Sequence, residues 1–268
     1  MTMVNKNTIE LGPIETQIIS RLSYEKTTVI TKAQLDKLFR KIGLTKQLIY
    51  RLRKKGILKP IIKGIYYYSP IESGPSGARI NEFLVPSVLF PKGNYYVGYS
   101  PMYNYYGFTD QVFQTFYVLN TALQRERIID KTTFKLLKVS PDRMYGIDKV
   151  RIKDSDVFVS DRERTLVDLA YFPEPVGGLE QAFNIICKQI DDKKLNIKKF
   201  LGYVVRIPSI STRKRIGFAL ENCGISDRML APILKSIKNS SLITLYGSKS
   251  RKGKINNKWK VIVDAPQQ

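Results

Sequence analysis

Histidine is missing from the sequence altogether. Without it no Ser-His-Asp or Cys-His triad can form, no imidazole can ligate zinc or iron, and no histidine can serve as general base. Cysteine is nearly missing as well. Cys187 and Cys223 stand far apart, make no Cys-x-x-Cys pair and have apolar neighbours such as Ile186 and Ile225, so they read as reduced core residues. No apolar run reaches the ~18 residues of a membrane span, and MTMVNKNTIELGP carries no apolar leader segment. A cytoplasmic protein with no membrane partner is the expectation. Neither GxxxxGK[ST] nor GxGxxG occurs, which leaves a nucleotide cofactor without a motif, and no cofactor or metal is expected.

Acid is also scarce. Against 45 Lys and Arg stand 23 Asp and Glu, a formal charge of +22. Such a chain meets polyanions with a favourable long-range field, which makes nucleic acid the leading partner class. Hydrophobic residues make up 43% of the 268 positions and aromatics 11%, enough to fill two or three compact cores.

The composition breaks once, at SPIESGPSG, where Pro and Gly cluster between two apolar blocks. This divides the chain into residues 1–70, a linker at 71–77, and residues 78–268. In the longer part, NYYVGYS, TFYVL, FKLLKV and DVFV read as strands of a mixed sheet up to residue 160. Helical stripes follow over 161–268: Leu166, Leu169 and Ala170; Phe183, Ile186 and Ile190; Ile216, Ala219, Leu220 and Cys223. KINNKWKVIVD alternates again and closes the fold as a strand. The expected class is α+β.

In the first part, Pro13 opens a helix that carries Ile14, Ile18, Ile19 and Leu22 on one side. Thr31 caps a second helix with Leu35, Leu38, Phe39 and Ile42 on its apolar face, and Gly43 is placed to end it. After a turn of Gly43, Leu44 and Thr45, a third helix buries Leu48, Ile49 and Leu52 and turns Lys46, Gln47, Tyr50, Arg51 and Lys54 outward. Two short apolar runs then flank Lys63-Gly64 as a hairpin. Helix, short turn, helix and hairpin predict a winged helix-turn-helix whose third helix enters a major groove. From Lys46 to Lys63 the cations are Lys46, Arg51, Arg53, Lys54, Lys55, Lys59 and Lys63, with no acid among them. Gln47, Tyr50 and Arg51 are the candidates for base edges, and Lys46, Arg53, Lys54 and Lys63 for phosphate. A solvated basic face on a protein-docking module is the alternative.

Farther on, Ser160 and Glu163 are spaced as a capping box, and Pro173 stops the helix behind them. Eight cations and no acid lie between Lys193 and Arg215, and Arg213, Lys214 and Arg215 fall at the start of a predicted helix, against its dipole. These three are either a solvated face or a second anion or partner contact. Lys249, Arg251, Lys252, Lys254, Lys258 and Lys260 read as a mobile exposed turn.

Taken in order, a winged helix ending in KGIYYYS, then YSPMYNYYGFTDQ, VSDRERTLVDLAYFPEPVGG, SISTRKRIGFALENCG and GKINNKWKVIVD resemble the AbiEi family of antitoxins and transcriptional regulators over about residues 12–264. Glu163, Arg164, Thr165, Leu166 and Asp168 match its central helical run. The sequence departs from the family where a His often precedes the Gly-x-Thr-Asp-Gln element, since Tyr106 stands there before Gly107. The resemblance implies an N-terminal domain that binds inverted repeats in its own promoter as two copies. It also implies a C-terminal region that counters a nucleotidyltransferase-like toxin; that the chain is not an enzyme is expected from the lack of His and of a well-spaced carboxylate constellation. Two alternatives stand beside it: a solitary transcription factor, and a metal-dependent nuclease built on Asp142, Asp161 and Glu163, whose spacing is poor.

Overall fold

The computed structural model describes residues 10–39, 42–74, 77–153, 155–247 and 251–264. The chain is α+β and divides into two compact units. The first runs to Asn94 and takes in Glu126–Phe134 and Arg151–Val157; the second comprises Tyr95–Arg125, Lys135–Val150 and the residues from Phe158 on. By compactness the division falls at Asn94, whereas Pro/Gly content placed it at 71–77. Within that stretch Ile71–Ser73 forms one 3-10 turn, and the Ser69 hydroxyl accepts the Ala78 N–H at 2.6 Å.

Helix α1 (Pro13–Tyr24) places Pro at N1, where a missing N–H is harmless. It buries Glu15, Ile18, Ile19 and Leu22, while Ile14, expected on that stripe, is 44% exposed. Glu15 occupies N3 and accepts the Gly12 N–H at 3.0 Å, so capping the helix turns its first acid inward and Ile14 outward. Strand β1 (Val29–Thr31) leads into α2 (Lys32–Phe39). Thr31 caps it as expected: its hydroxyl accepts from Gln34 N at 3.1 Å and Gln34 Oε1 accepts from Thr31 N at 2.8 Å.

Helix α3 (Ile42–Lys54) begins earlier than the sequence suggested. Gly43 and Thr45 lie inside it, so Gly43 does not end α2 and Thr45 is not an N-cap. A helix-interior Gly costs only about 1 kcal/mol, and packing outweighs that. The fully buried Thr45 instead hydrogen-bonds Asp36 of α2. The side chains of Phe39 and Ile42, assigned above to the α2 stripe, lie outside the described residues. Strands β2 (Leu58–Ile62) and β3 (Ile65–Tyr68) follow, and the sheet order β1-β3-β2 is antiparallel, with Val29 opposite Tyr67 and Leu58 opposite Tyr68. Gly64, at φ +82°, supplies the left-handed residue of the β2–β3 turn. Ile18, Leu22, Leu35, Leu48, Leu52, Ile57 and Tyr68 close the core beneath.

Beyond the short α4 (Val85–Leu89), a six-stranded sheet is built from β4 (Tyr95–Val97), β5 (Thr115–Asn120), β6 (Arg125–Ile129), β7 (Thr132–Lys138), β8 (Ile147–Ile152) and β9 (Ser155–Ser160). Helix α5 (Ser100–Tyr105) lies between β4 and β5. The order is β6-β7-β5-β4-β9-β8. Strand β4 pairs antiparallel with β5 and parallel with β9, Val97 opposite Val159, so the sheet is mixed as expected. The polar strands β6 and β8, which hydropathy gave no reason to expect, form its edges.

Helices α6 (Arg162–Tyr171), α7 (Leu179–Asp191), α8 (Ile197–Arg206), α9 (Ile210–Asn222) and α10 (Asp227–Ser236) complete the second unit. Asp161, not Ser160, caps α6, accepting the Arg164 N–H at 2.7 Å. Glu163 accepts from Asn196 N instead, and the Ser160 hydroxyl bonds Thr165, so the expected capping box does not form. Three short strands follow α10: β10 (Ile243–Thr244), β11 (Lys254–Asn256) and β12 (Val261–Val263), in the order β10-β12-β11. KINNKWKVIVD is therefore two strands about a turn rather than one. That turn buries Trp259 completely, with its ring against Gly217 and its Nε1–H donating to Glu221 at 2.7 Å.

The cysteines depart from expectation too. Both are half-buried, and the packing of α7 on α9 brings Cys187 and Cys223 to a Cα separation of 5.7 Å, where they form a disulfide. No helix among the described residues is long and apolar enough to cross a membrane.

Candidate nucleic-acid interface

Helix α3 separates its faces cleanly. Leu48, Ile49 and Leu52 are buried, and Lys46, Gln47, Tyr50, Arg51, Arg53 and Lys54 are exposed. Lys46, Gln47, Tyr50 and Arg51 line one shallow concavity, with the Tyr50 ring 65% exposed. Lys63 is exposed at the β2–β3 tip.

The acid-free run meets acids from elsewhere in the chain. Glu15 of α1 receives Lys55 and lies 3.4 Å from Arg51 Nε, while Lys59 reaches Asp130 at 3.3 Å. The Lys55 hydrogen bond, opposed by burial and reinforced by Gly12 and Arg51, holds the Glu15 carboxyl below its ordinary value of 4.5. Arg51 thus has two faces: its Nε is drawn toward Glu15 while half of its side chain stays in solvent. Among the described residues Lys46, Arg53, Lys54 and Lys63 enter no ion pair, which leaves them available to a polyanion.

The second cationic set does not form one surface. Ser209 caps α9, which puts Arg213, Lys214 and Arg215 a turn inside it. Lys214 is buried and donates to the Ser241 carbonyl, and burial, with Lys260 nearby, pushes its pKa down. Arg213 Nε donates to Ile207 O at 2.8 Å, and Arg215 Nη2 to Thr244 O at 3.4 Å. Backbone carbonyls, not an external anion, receive these three cations. Of the third set, Arg251, Lys252 and Lys254 are exposed, whereas Lys258 pairs with Glu221 and Asp227 and Lys260 donates to Lys238 O; Lys249 lies outside the described residues.

Of the three acids weighed for a nuclease, Asp161 and Glu163 converge, but on Lys199, at 3.1 and 3.2 Å. Burial opposes the charge on Lys199, yet its contacts with Asp161 and then Glu163 raise its pKa. Asp161 also accepts from the Tyr203 hydroxyl, whereas Asp142 bonds Ser140. Among the described residues no three His, Cys, Asp or Glu side chains gather as a metal site.

A buried arginine is the feature that sequence reasoning missed. Arg164 is fully buried; its Nε donates to Asp168 at 3.0 Å and its Nη2 to the Tyr96 hydroxyl at 3.1 Å. Its guanidinium lies 4.1 Å from the Tyr145 ring centre and that of Arg206 lies 4.0 Å from it, while Arg143 approaches Asp168 at 4.0 Å. One buried carboxylate serves two guanidiniums. The signal was the Arg164-x-x-x-Asp168 spacing, which places the two charges one helical turn apart.

No family model matches the chain, and no curated relative does. Among solved structures, the RV2827C protein from Mycobacterium tuberculosis is similar over 96% of this chain and 93% of that one, with a TM-score of 0.69 and 14% identity. A likeness at that identity speaks to the fold alone.

Proposed function

We propose that the first unit is a winged helix-turn-helix that binds duplex DNA in a sequence-specific manner, and that the chain is an AbiEi-like transcriptional autorepressor and antitoxin. The observation that carries the DNA-binding reading is the outward arc of α3, where Lys46, Gln47, Tyr50 and Arg51 share one exposed concavity. The element order α1-β1-α2-α3-β2-β3 supports it, with α3 as the recognition helix and the Lys63 turn as the wing. In this reading Gln47, Tyr50 and Arg51 face base edges, and Lys46, Arg53, Lys54 and Lys63 hold phosphates. Each copy covers one half-site, so an inverted repeat takes two. The role of the second unit, countering a nucleotidyltransferase-like toxin in the cytoplasm, rests on the resemblance of its ordered segments.

Titration of the full chain against its upstream promoter tests the DNA reading. Neutralising six to ten phosphates lowers affinity about 10³- to 10⁵-fold between 50 and 200 mM salt. Arg51→Ala removes about 1–3 kcal/mol of base preference, whereas Lys63→Ala weakens all sequences alike. A flat salt response refutes the proposal, and equal losses on specific and scrambled DNA for Arg51→Ala refute the division of roles. Co-expression with the product of an adjacent toxin gene tests the antitoxin role: the full chain restores growth and residues 1–77 do not.

A further inference from the structure

The second unit holds a cleft that the DNA-binding reading does not use. Its volume is about 340 Å³, within the range of small-molecule sites, and it lies between the loop after α5, the start of α6 and α7 from Gln181 onward. Tyr106 and Phe108 form one wall, their rings 5.8 Å apart and inclined by 28°. The Tyr106 hydroxyl donates to Ser160 O at 3.1 Å, which fixes the ring. Arg162, the first residue of α6, lays its guanidinium over Tyr106 at 4.8 Å and donates from Nη1 to the buried Gln189 at 2.6 Å. The opposite wall carries Lys188 and Lys194, with the amides of Gln181 and Asn184. One acid, Asp192, lines the cleft and pairs with Lys194 at 3.2 Å, so three cations still outnumber it.

We propose that this cleft binds a nucleoside phosphate. Arg162 also lies 5.7 Å from the Phe108 ring centre, and since the two rings are only 5.8 Å apart they cannot sandwich the guanidinium; its other flat face suits a further planar π system. Amide side chains offer both a donor and an acceptor, which is what the edge of a base requires. Lys188 and Lys194 supply point charges for phosphate. No glycine-rich loop is present, so recognition runs through stacking and lysines rather than through a cradle of backbone N–H groups. The element around Tyr106, which the DNA-binding unit does not account for, gains a role: it is the ring on which the Arg162 plane rests.

Isothermal titration of the full-length protein at 150 mM salt, with ATP, GTP, CTP and UTP and with tripolyphosphate and the four corresponding nucleosides as partial ligands, tests this. At least one triphosphate binds at one per chain, and tripolyphosphate and the matching nucleoside each bind about tenfold more weakly or worse. Arg162→Leu and Lys188→Ala each weaken that triphosphate about threefold to tenfold, in line with a stacked or ion-paired contact. Lys138→Ala, an equal loss of charge on the exposed surface of β7, leaves it unchanged. Should Arg162→Leu fail to fold, the exposed Lys188→Ala decides alone. The proposal is overturned if no triphosphate binds, if tripolyphosphate binds as tightly as the best of them, or if Lys188→Ala has no effect. It is also overturned if a ten-nucleotide oligoadenylate binds a hundredfold more tightly than any triphosphate, which would make the occupant a strand.

Discussion

Replacing Asp168 with Asn removes the one carboxylate that Arg164 and Arg143 share. Asp168 and Arg164 are both fully buried, so the guanidinium left behind cannot recover its lost partner from water. Breaking a buried pair from one side costs about 3–5 kcal/mol, because an uncompensated charge remains. Against a total stability of about 5–15 kcal/mol, that is a large fraction. Arg164→Met should be milder, about 1–3 kcal/mol: it loses the 3.0 Å bond to Asp168, the Tyr96 hydroxyl bond and the stacking on Tyr145, but Asp168 keeps a cation, Arg143, at 4.0 Å. The sequence contains one tryptophan, and Trp259 is buried in the second unit, so its fluorescence during urea titration reports on that unit alone. With a slope of about 2 kcal/mol per molar urea, Asp168→Asn lowers the midpoint by about 1.5–2.5 M. If Arg164→Met lowers the midpoint more than Asp168→Asn does, the carboxylate is not what holds the cluster, and the argument fails.

Three further outcomes are expected. Gly217→Ala places a Cβ inside the Trp259 ring, and with backbone on one side and a filled core on the other the misfit costs about 1–3 kcal/mol or more, read as a red shift of Trp emission. Reducing the Cys187–Cys223 disulfide, which spans 36 residues, lowers the stability of the second unit by about 3–4 kcal/mol on the chain-entropy estimate; identical urea midpoints with and without reductant would contradict it. Glu15 is held below its ordinary 4.5 in the folded state, so the unfolded chain takes up the proton first; its stabilisation is complete above 4.5 and drains away as pH falls through the folded value. Amide-exchange protection over residues 13–24, taken relative to the intrinsic rate at each pH, should therefore fall on acidification in the unsubstituted protein, and Glu15→Gln should lose this Glu15-dependent step.

Much of the first unit was legible in the residues because a 3.6 period leaves little choice. Once Leu48, Ile49 and Leu52 face inward, Lys46, Gln47 and Tyr50 must face out, and Thr31 with Gln34 is a local capping pair that needs nothing from the rest of the fold. What was hidden depends on partners distant in sequence. The register of α1 turns on Glu15 meeting Lys55, and the interior start of α3 on Thr45 meeting Asp36. The same applies to the cations: Arg213, Lys214 and Arg215 count as surface charge until the carbonyls of Ile207, Ser241 and Thr244 are placed beside them. Edge strands β6 and β8 were hidden for another reason, since exposure on an edge favours polar residues and erases the alternation that marks a strand. The cleft beside Arg162 was beyond reach because it joins α5, α6 and α7 through stacking, which leaves no spacing to read.

The position of Trp259 bears on how the protein is made. Its ring completes a core whose other members lie mainly between residues 96 and 237, and in the second unit β4 gains its parallel partner only with β9. Helices α6 to α10 therefore emerge from the ribosome before the side chain that fills the space beside Gly217. A nascent chain that has reached only α10 holds that apolar surface open, while residues 10–74 already possess their own buried core. The core of residues 10–74 can thus be shaped early in synthesis, whereas the second unit waits for its last strands, and a prematurely ended chain would carry an exposed core that proteases and chaperones recognise.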